Sequence, residues 1–213
     1  MRGATGLVIL VIVSVQLMAQ TPQKPATPQP QKPATQGPLK FENFTATTTN
    51  MAVGNAETIR INVFNWTAAP EREKLLAVLK EKGEDQLLET LKAAPSAGYI
   101  WTSESLGYSL RYAYKTTLPN GGERIIVATD RPLGAWSRTA WRAAASKAAK
   151  ETKESQLTLI ELRLNKQGRG EGKMSLATRI VAEPETNTLA LDNYASAPVL
   201  LKGAMRLKEG ETH

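Results

Sequence analysis

Three acidic residues in or beside stretches that read as strands are the first candidates for chemistry. Asp130 follows Val127-Ala128-Thr129, Glu161 sits within Leu159-Ile160-Glu161-Leu162, and Asp192 follows Leu189 and Leu191. Two carboxylates facing one another across a cleft would make a hydrolase pair, one acting as acid and the other as base or nucleophile. The structural alternative pairs Asp130 with Arg131 at a strand end, and Glu161 with a cross-strand Arg or Lys. No spacing among the three is diagnostic, and structural ion pairs are common in folded chains.

A second group suits binding. Trp136, Arg138, Trp141, Arg142 and Lys147, followed by Lys150 and Lys153, set aromatic rings among cations. That mixture fits sugars, lipid headgroups or bases; the alternative is a solvated surface loop whose tryptophans tuck onto the sheet. The net charge of +7 permits acidic partners without selecting one. An anionic envelope polymer or a membrane surface is the expected class, and specific nucleic-acid recognition is not expected. Gly168-Arg169-Gly170-Glu171-Gly172 suggests a phosphate cradle, but a dinucleotide fingerprint opens a helix, and here Lys173 to Val181 reads as a strand. A flexible β-hairpin is the better reading.

Composition excludes much else. Cysteine is absent and the only histidine is His213, so disulfides, thiol catalysis, Ser–His catalysis and ordinary zinc or copper sites are out. No EF-hand loop or acidic cluster offers a calcium site. No metal and no cofactor is expected.

The elements that must position these residues follow from periodicity. Arg2 and the apolar run Leu7 to Val13, ending at Ala19, read as an export signal over residues 1–19, with an uncleaved anchor as the alternative. Residues 20–40 are rich in Pro, Gln and Lys, and Gln23-Lys24-Pro25-Ala26-Thr27 recurs at Gln31-Lys32-Pro33-Ala34-Thr35. Such a segment makes a semi-rigid spacer rather than a core. A single domain is expected over residues 41–208, followed by a disordered tail at 209–213. Within it, Ile59, Ile61 and Val63 alternate as a strand, and Thr67 and Pro70 open a helix striped by Leu75, Leu76, Val78 and Leu79. Gly83 separates that helix from a second one carrying Leu87, Leu88 and Leu91, which gives a short helical hairpin. Tyr108, Leu110, Tyr112 and Tyr114 share one face of a strand, with Ser109, Arg111 and Lys115 on the other. Asn120-Gly121 turns it into the run Ile125-Ile126-Val127. Strands resume at Leu157 to Leu164, with Asn165 to Gly172 as a turn, and continue to Leu207. The expected class is mainly β (α+β), an antiparallel sandwich or barrel of about seven to eight strands.

Glu71-Arg72-Glu73-Lys74-Leu75-Leu76, Ser105-Leu106-Gly107-Tyr108, Ala128-Thr129-Asp130-Arg131-Pro132 and Leu159-Ile160-Glu161-Leu162-Arg163-Leu164 together resemble a family of exported bacterial proteins of unknown function. The resemblance covers roughly residues 57–208. It implies export, to a periplasmic or extracellular location, and no activity, cofactor or site residue. The leading expectation is an exported, non-enzymatic binding or envelope-associated domain. A barrel carrying an apolar ligand under the helical clip is the first alternative, and a carboxylate-dependent hydrolase the second.

Overall fold

Alternating apolar residues force strands to bury one face, and here they do so by closing on themselves. The computed structural model describes residues 41–49, 56–102, 107–133, 156–175, 179–192 and 199–208. Trp136, Arg138, Trp141, Arg142 and Lys147, the first 40 residues and residues 209–213 lie outside them. In chain order the elements are β1 (Glu42–Thr49), β2 (Thr58–Val63), α1 (Ala69–Ala93), β3 (Gly98–Thr102), β4 (Tyr108–Thr117) and β5 (Glu123–Thr129). They continue as β6 (Leu159–Leu164), β7 (Arg169–Met174), β8 (Ile180–Glu183), β9 (Thr188–Leu191) and β10 (Val199–Leu207). Strands β1 to β7 pair in succession as an antiparallel meander, and β10 returns between β7 and β1 to close a barrel of eight strands. The β8–β9 hairpin stands apart from the wall, so the barrel form, not the sandwich, is the one adopted.

The lumen holds Phe44, Ile59, Ile61, Ile100, Leu110, Ile125, Val127, Leu162 and Leu201, all at most 1 % exposed. An eight-stranded barrel is just wide enough for side chains to fill.

A second apolar layer lies outside the wall. Leu75, Leu76, Leu87, Leu88 and Leu91 of α1 pack with Tyr112, Ile126 and Leu159 of the barrel and with Ile180, Leu189 and Leu191 of the hairpin. Gly83, at φ 81°, breaks α1 into two arms, as the leucine spacing predicts. The helix starts one residue later than expected, with Ala68 as its N-cap and the Glu71 carboxylate accepting the Ala68 N–H at 3.2 Å. Thr67 is used otherwise: its hydroxyl accepts the Ala113 N–H at 3.0 Å and ties the helix entry to β4.

Three expectations are corrected. Tyr108, Leu110, Tyr112 and Tyr114 do not share a face. Leu110 pairs with Thr129 and Tyr112 with Ala128, which leaves Arg111 as an extra residue in a β-bulge. Before it Tyr108 and Leu110 point inward; after it Ala113 does, and Tyr112 joins the outer layer. Gly170 and Gly172 are not in a turn but inside β7, paired with β6 on one side and β10 on the other. A Cβ on Gly170 would land on the Arg163 carbonyl oxygen, so glycine is what lets these strands approach. Finally, Glu42–Thr49 is a full strand that the pattern leaves unmarked, because its inward positions after Phe44 are the small residues Ala46 and Thr48.

Candidate functional site

The carboxylates considered for catalysis come to rest in separate places. Asp130, 3 % exposed, accepts hydrogen bonds from Arg111 Nε and Arg131 Nε, each at 2.9 Å. Burial alone would push its carboxyl up, but the bonds from Arg131 and Arg111 outweigh that and hold it below the ordinary 3.8. Arg111, extruded by the bulge, also donates to the Ala94 carbonyl at 3.0 Å and so fixes the end of α1. Asp130 is thus a deprotonated anchor at neutral pH, unsuited to donate a proton.

Glu161, 0 % exposed, faces outward from β6 beneath the β8–β9 hairpin. Arg124 reaches one of its oxygens at 2.9 Å and Arg163 the other at 2.8 Å. Arg124 extends to Glu183 on β8, which also bonds Thr186, so a chain of charges rooted in buried Glu161 fastens the hairpin to the wall. Near it the Tyr112 hydroxyl meets the Thr188 hydroxyl on β9, and burial pushes the phenol up. Glu161 lies opposite Ile126, four residues short of Asp130 along β5, which at ~3.3 Å per residue separates the two by about 13 Å. Asp192 is exposed just beyond β9, where its backbone N–H donates to the Arg179 carbonyl. The structure brings no two of the three together.

Charged groups also close one end of the lumen. Glu42 holds Lys115 Nζ at 2.8 Å, Trp66 Nε1 at 3.0 Å and Arg206, while Arg206 also bonds Glu123. Burial would raise the Glu42 carboxyl, but Lys115 and Arg206 hold it below its ordinary 4.5. Above this plug lies a concavity of about 690 Å³ rimmed by Lys166, Gln167 and Lys208. A groove of about 380 Å³ lies beneath the arms of α1, lined by Thr67, Leu75, Ala94, Pro95 and Arg111 among others.

The surface best suited to a partner was not singled out by sequence. On β1, β2 and β3 the residues that alternate with buried Phe44, Ile61 and Ile100 must point outward. Cross-strand register aligns them in two rows that run on into β10. One row is Tyr99, Asn62, Asn43 and Leu207; the other is Trp101, Arg60, Thr45 and Met205. With strands about 4.8 Å apart, each row spans about 14 Å. Tyr99 is 45 % exposed and leans on Phe64 at a ring separation of 5.8 Å; Phe64 in turn meets Phe41, itself 39 % exposed, at 5.9 Å. Of the central polar groups, Thr45 donates to the Ile59 carbonyl at 3.0 Å. Asn43, Asn62 and Arg60 make no side-chain hydrogen bond or ion pair among the described residues, and Asn43 Oδ1 is shielded from solvent without a donor. The outward positions of these three strands carry no carboxylate. Tyr99 and Trp101 are legible as strand residues in the sequence, but nothing local places them beside Asn62 and Arg60.

No family model, curated protein or solved structure matches the chain. Among the described residues no helix is long and apolar enough to cross a membrane.

Proposed function

We propose that this protein is an exported, non-enzymatic binding domain of the cell envelope, tethered by a Pro-rich spacer, and that it binds through the outer face of β1, β2, β3 and β10. The observation that carries this reading is the pair of rows with aromatic rings at one edge and, at the centre, three polar side chains without a partner among the described residues. Polar groups left without partners on a partly buried face are costly unless water or a ligand satisfies them. Aromatic rings beside them add contact area at low entropic cost. The envelope part of the reading is supported by the signal-like N-terminus and the Pro-rich spacer of the sequence.

The test is sedimentation of the mature protein with insoluble envelope material. Wild type is expected to pellet, and the double variant Tyr99→Ala/Trp101→Ala to stay in the supernatant while still melting cooperatively as a folded domain. Equal pelleting of both proteins would remove the face from consideration.

A second reading has its own observation. The groove of about 380 Å³ under α1 joins apolar walls to the Arg111 guanidinium, an arrangement that suits an apolar ligand with a polar head. Displacement of a fluorescent fatty acid, abolished by Ala93→Trp, would support carriage there; no binding of the probe would dismiss it.

A further inference from the structure

We infer that the occupant of the outer face is an extended glycan that carries carboxylate groups at intervals along its chain, an inference that rests on the binding reading above. Its first support is the aromatic edge. Tyr99 and Trp101 stand two residues apart on β3, about 7 Å along the strand, with Phe64 bracing Tyr99 from the side. Rings set at such a spacing offer successive π faces to the C–H faces of successive sugars. A lipid surface would want a continuous apolar patch, whereas here the apolar edges are divided by Asn43, Thr45, Arg60 and Asn62.

The second support is the polar centre. Asn62 sits directly opposite Asn43 and presents an amide donor and acceptor, the groups that read hydroxyls. Arg60 lies between Trp101 and Thr45, partly buried and without a carboxylate of its own among the described residues. A guanidinium prefers a bidentate oxyanion to water alone, and a carboxylate on the ligand fits that fork. The third support is charge. Within the two rows Arg60 is the sole cation, so the face suits a ligand of sparse charge and not a phosphate backbone with a charge at every unit.

The experiment uses the mature full chain and four probes: a hexamer that alternates glucuronic acid with N-acetylglucosamine, a neutral N-acetylglucosamine hexamer, a 12-nucleotide oligothymidylate, and a peptide of residues 21–40. Binding is read by tryptophan fluorescence and calorimetry. The acidic hexamer is expected to bind about tenfold or more tighter than the neutral one, the difference a charge-assisted bidentate bond supplies. Arg60→Gln should erase that difference while retaining weak binding to both, and Trp101→Ala should lose both. Affinity should fall with salt with a logarithmic slope near one, as a single ion pair requires. Lys82→Ala, on the exposed side of α1, is the control and should bind as wild type.

Equal affinity for the two hexamers, or no effect of Arg60→Gln, overturns the carboxylate assignment. Tighter binding of the oligonucleotide or the peptide through the same residues overturns the glycan. If no hexamer binds but envelope sedimentation still needs Tyr99 and Trp101, the glycan falls and the binding face stands. If sedimentation is also independent of them, both fall.

Discussion

The barrel wall has two outer halves built from the same kind of strand and put to opposite use. On β4, β5 and β6 the outward residues Tyr112, Ile126, Ala128 and Leu159 are covered by α1 and the β8–β9 hairpin, and the outward charges Arg124 and Glu161 are neutralised beneath them. On β1, β2 and β3 the outward residues are rings, amides, hydroxyls and one guanidinium, with no described element packed over them. Cover converts polar groups into fasteners, because a buried charge must find a partner or unfold the site. Where no described element covers the wall, Arg60 and Asn62 keep their bonding capacity for something else. The difference is between residues that stabilise and residues that are kept available.

The largest expected break in that contrast is Glu161→Ala. It leaves Arg124 buried beside a single carboxylate, Glu183, and should cost about 3–5 kcal/mol, read as a fall in the urea midpoint. An effect near zero would mean that the covered half is held by apolar contact alone. Next comes Leu91→Ala, at 0 % exposure between helix and wall, expected to cost about 2–5 kcal/mol without changing ligand affinity. Lost binding at full occupancy of the folded state would show that the two halves are coupled.

Acid should strike the covered half and the charged plug. Asp130 is held below 3.8, and Glu42 and Glu183 below 4.5. For a group depressed in the folded state, the stabilisation is complete above its unfolded value and disappears as pH falls through the folded one. The urea midpoint should therefore stay level from neutrality to about pH 5 and then decline, with a smaller decline in Asp130→Asn. An identical decline in that variant would exclude the Arg111–Asp130–Arg131 contact as a contributor. The smallest effect is that of Tyr99→Ala, which should move stability by no more than about 1 kcal/mol because nearly half of the side chain stays in solvent. A cost of several kcal/mol would place Tyr99 among the fasteners and dissolve the comparison.

Much of the barrel is legible in the chain wherever a strand writes its own pattern. Ile59, Ile61 and Val63 face the lumen as their alternation says and Gly83 parts the helix, whereas the hairpin turn has positive φ at Gly121 (76°) but not at Asn120, so it is not the type I′ turn that Asn-Gly suggests. Legibility ends where a partner strand decides. The bulge at Arg111 depends on the register with β5 and on the buried Asp130 that receives the guanidinium, neither of which the tyrosine spacing records. Glycines in β7 resemble turn residues until β6 and β10 are seen pressing on them from both sides. The binding face is harder still. Asn43, Arg60 and Trp101 belong to three strands, and only the closed topology sets them abreast.

That closure has a consequence for the order in which the molecule can be made. Strand β10 joins two neighbours that come from opposite ends of the domain, pairing Leu207 with Asn43 across most of its length and Ala204 with Gly170. Until residues 199–207 have been synthesised, β1 and β7 are open edges, with backbone donors and acceptors facing outward and a lumen of isoleucines and leucines unsealed. Contacts so distant in sequence are slow to form, since the chain loses loop entropy before they reward it. A chain cut before Val199 is expected to aggregate through those edges, and one with β10 supplied as a separate peptide to regain solubility; light scattering distinguishes the two. Strand β10 is thus the one that decides when the barrel's edges stop being sticky.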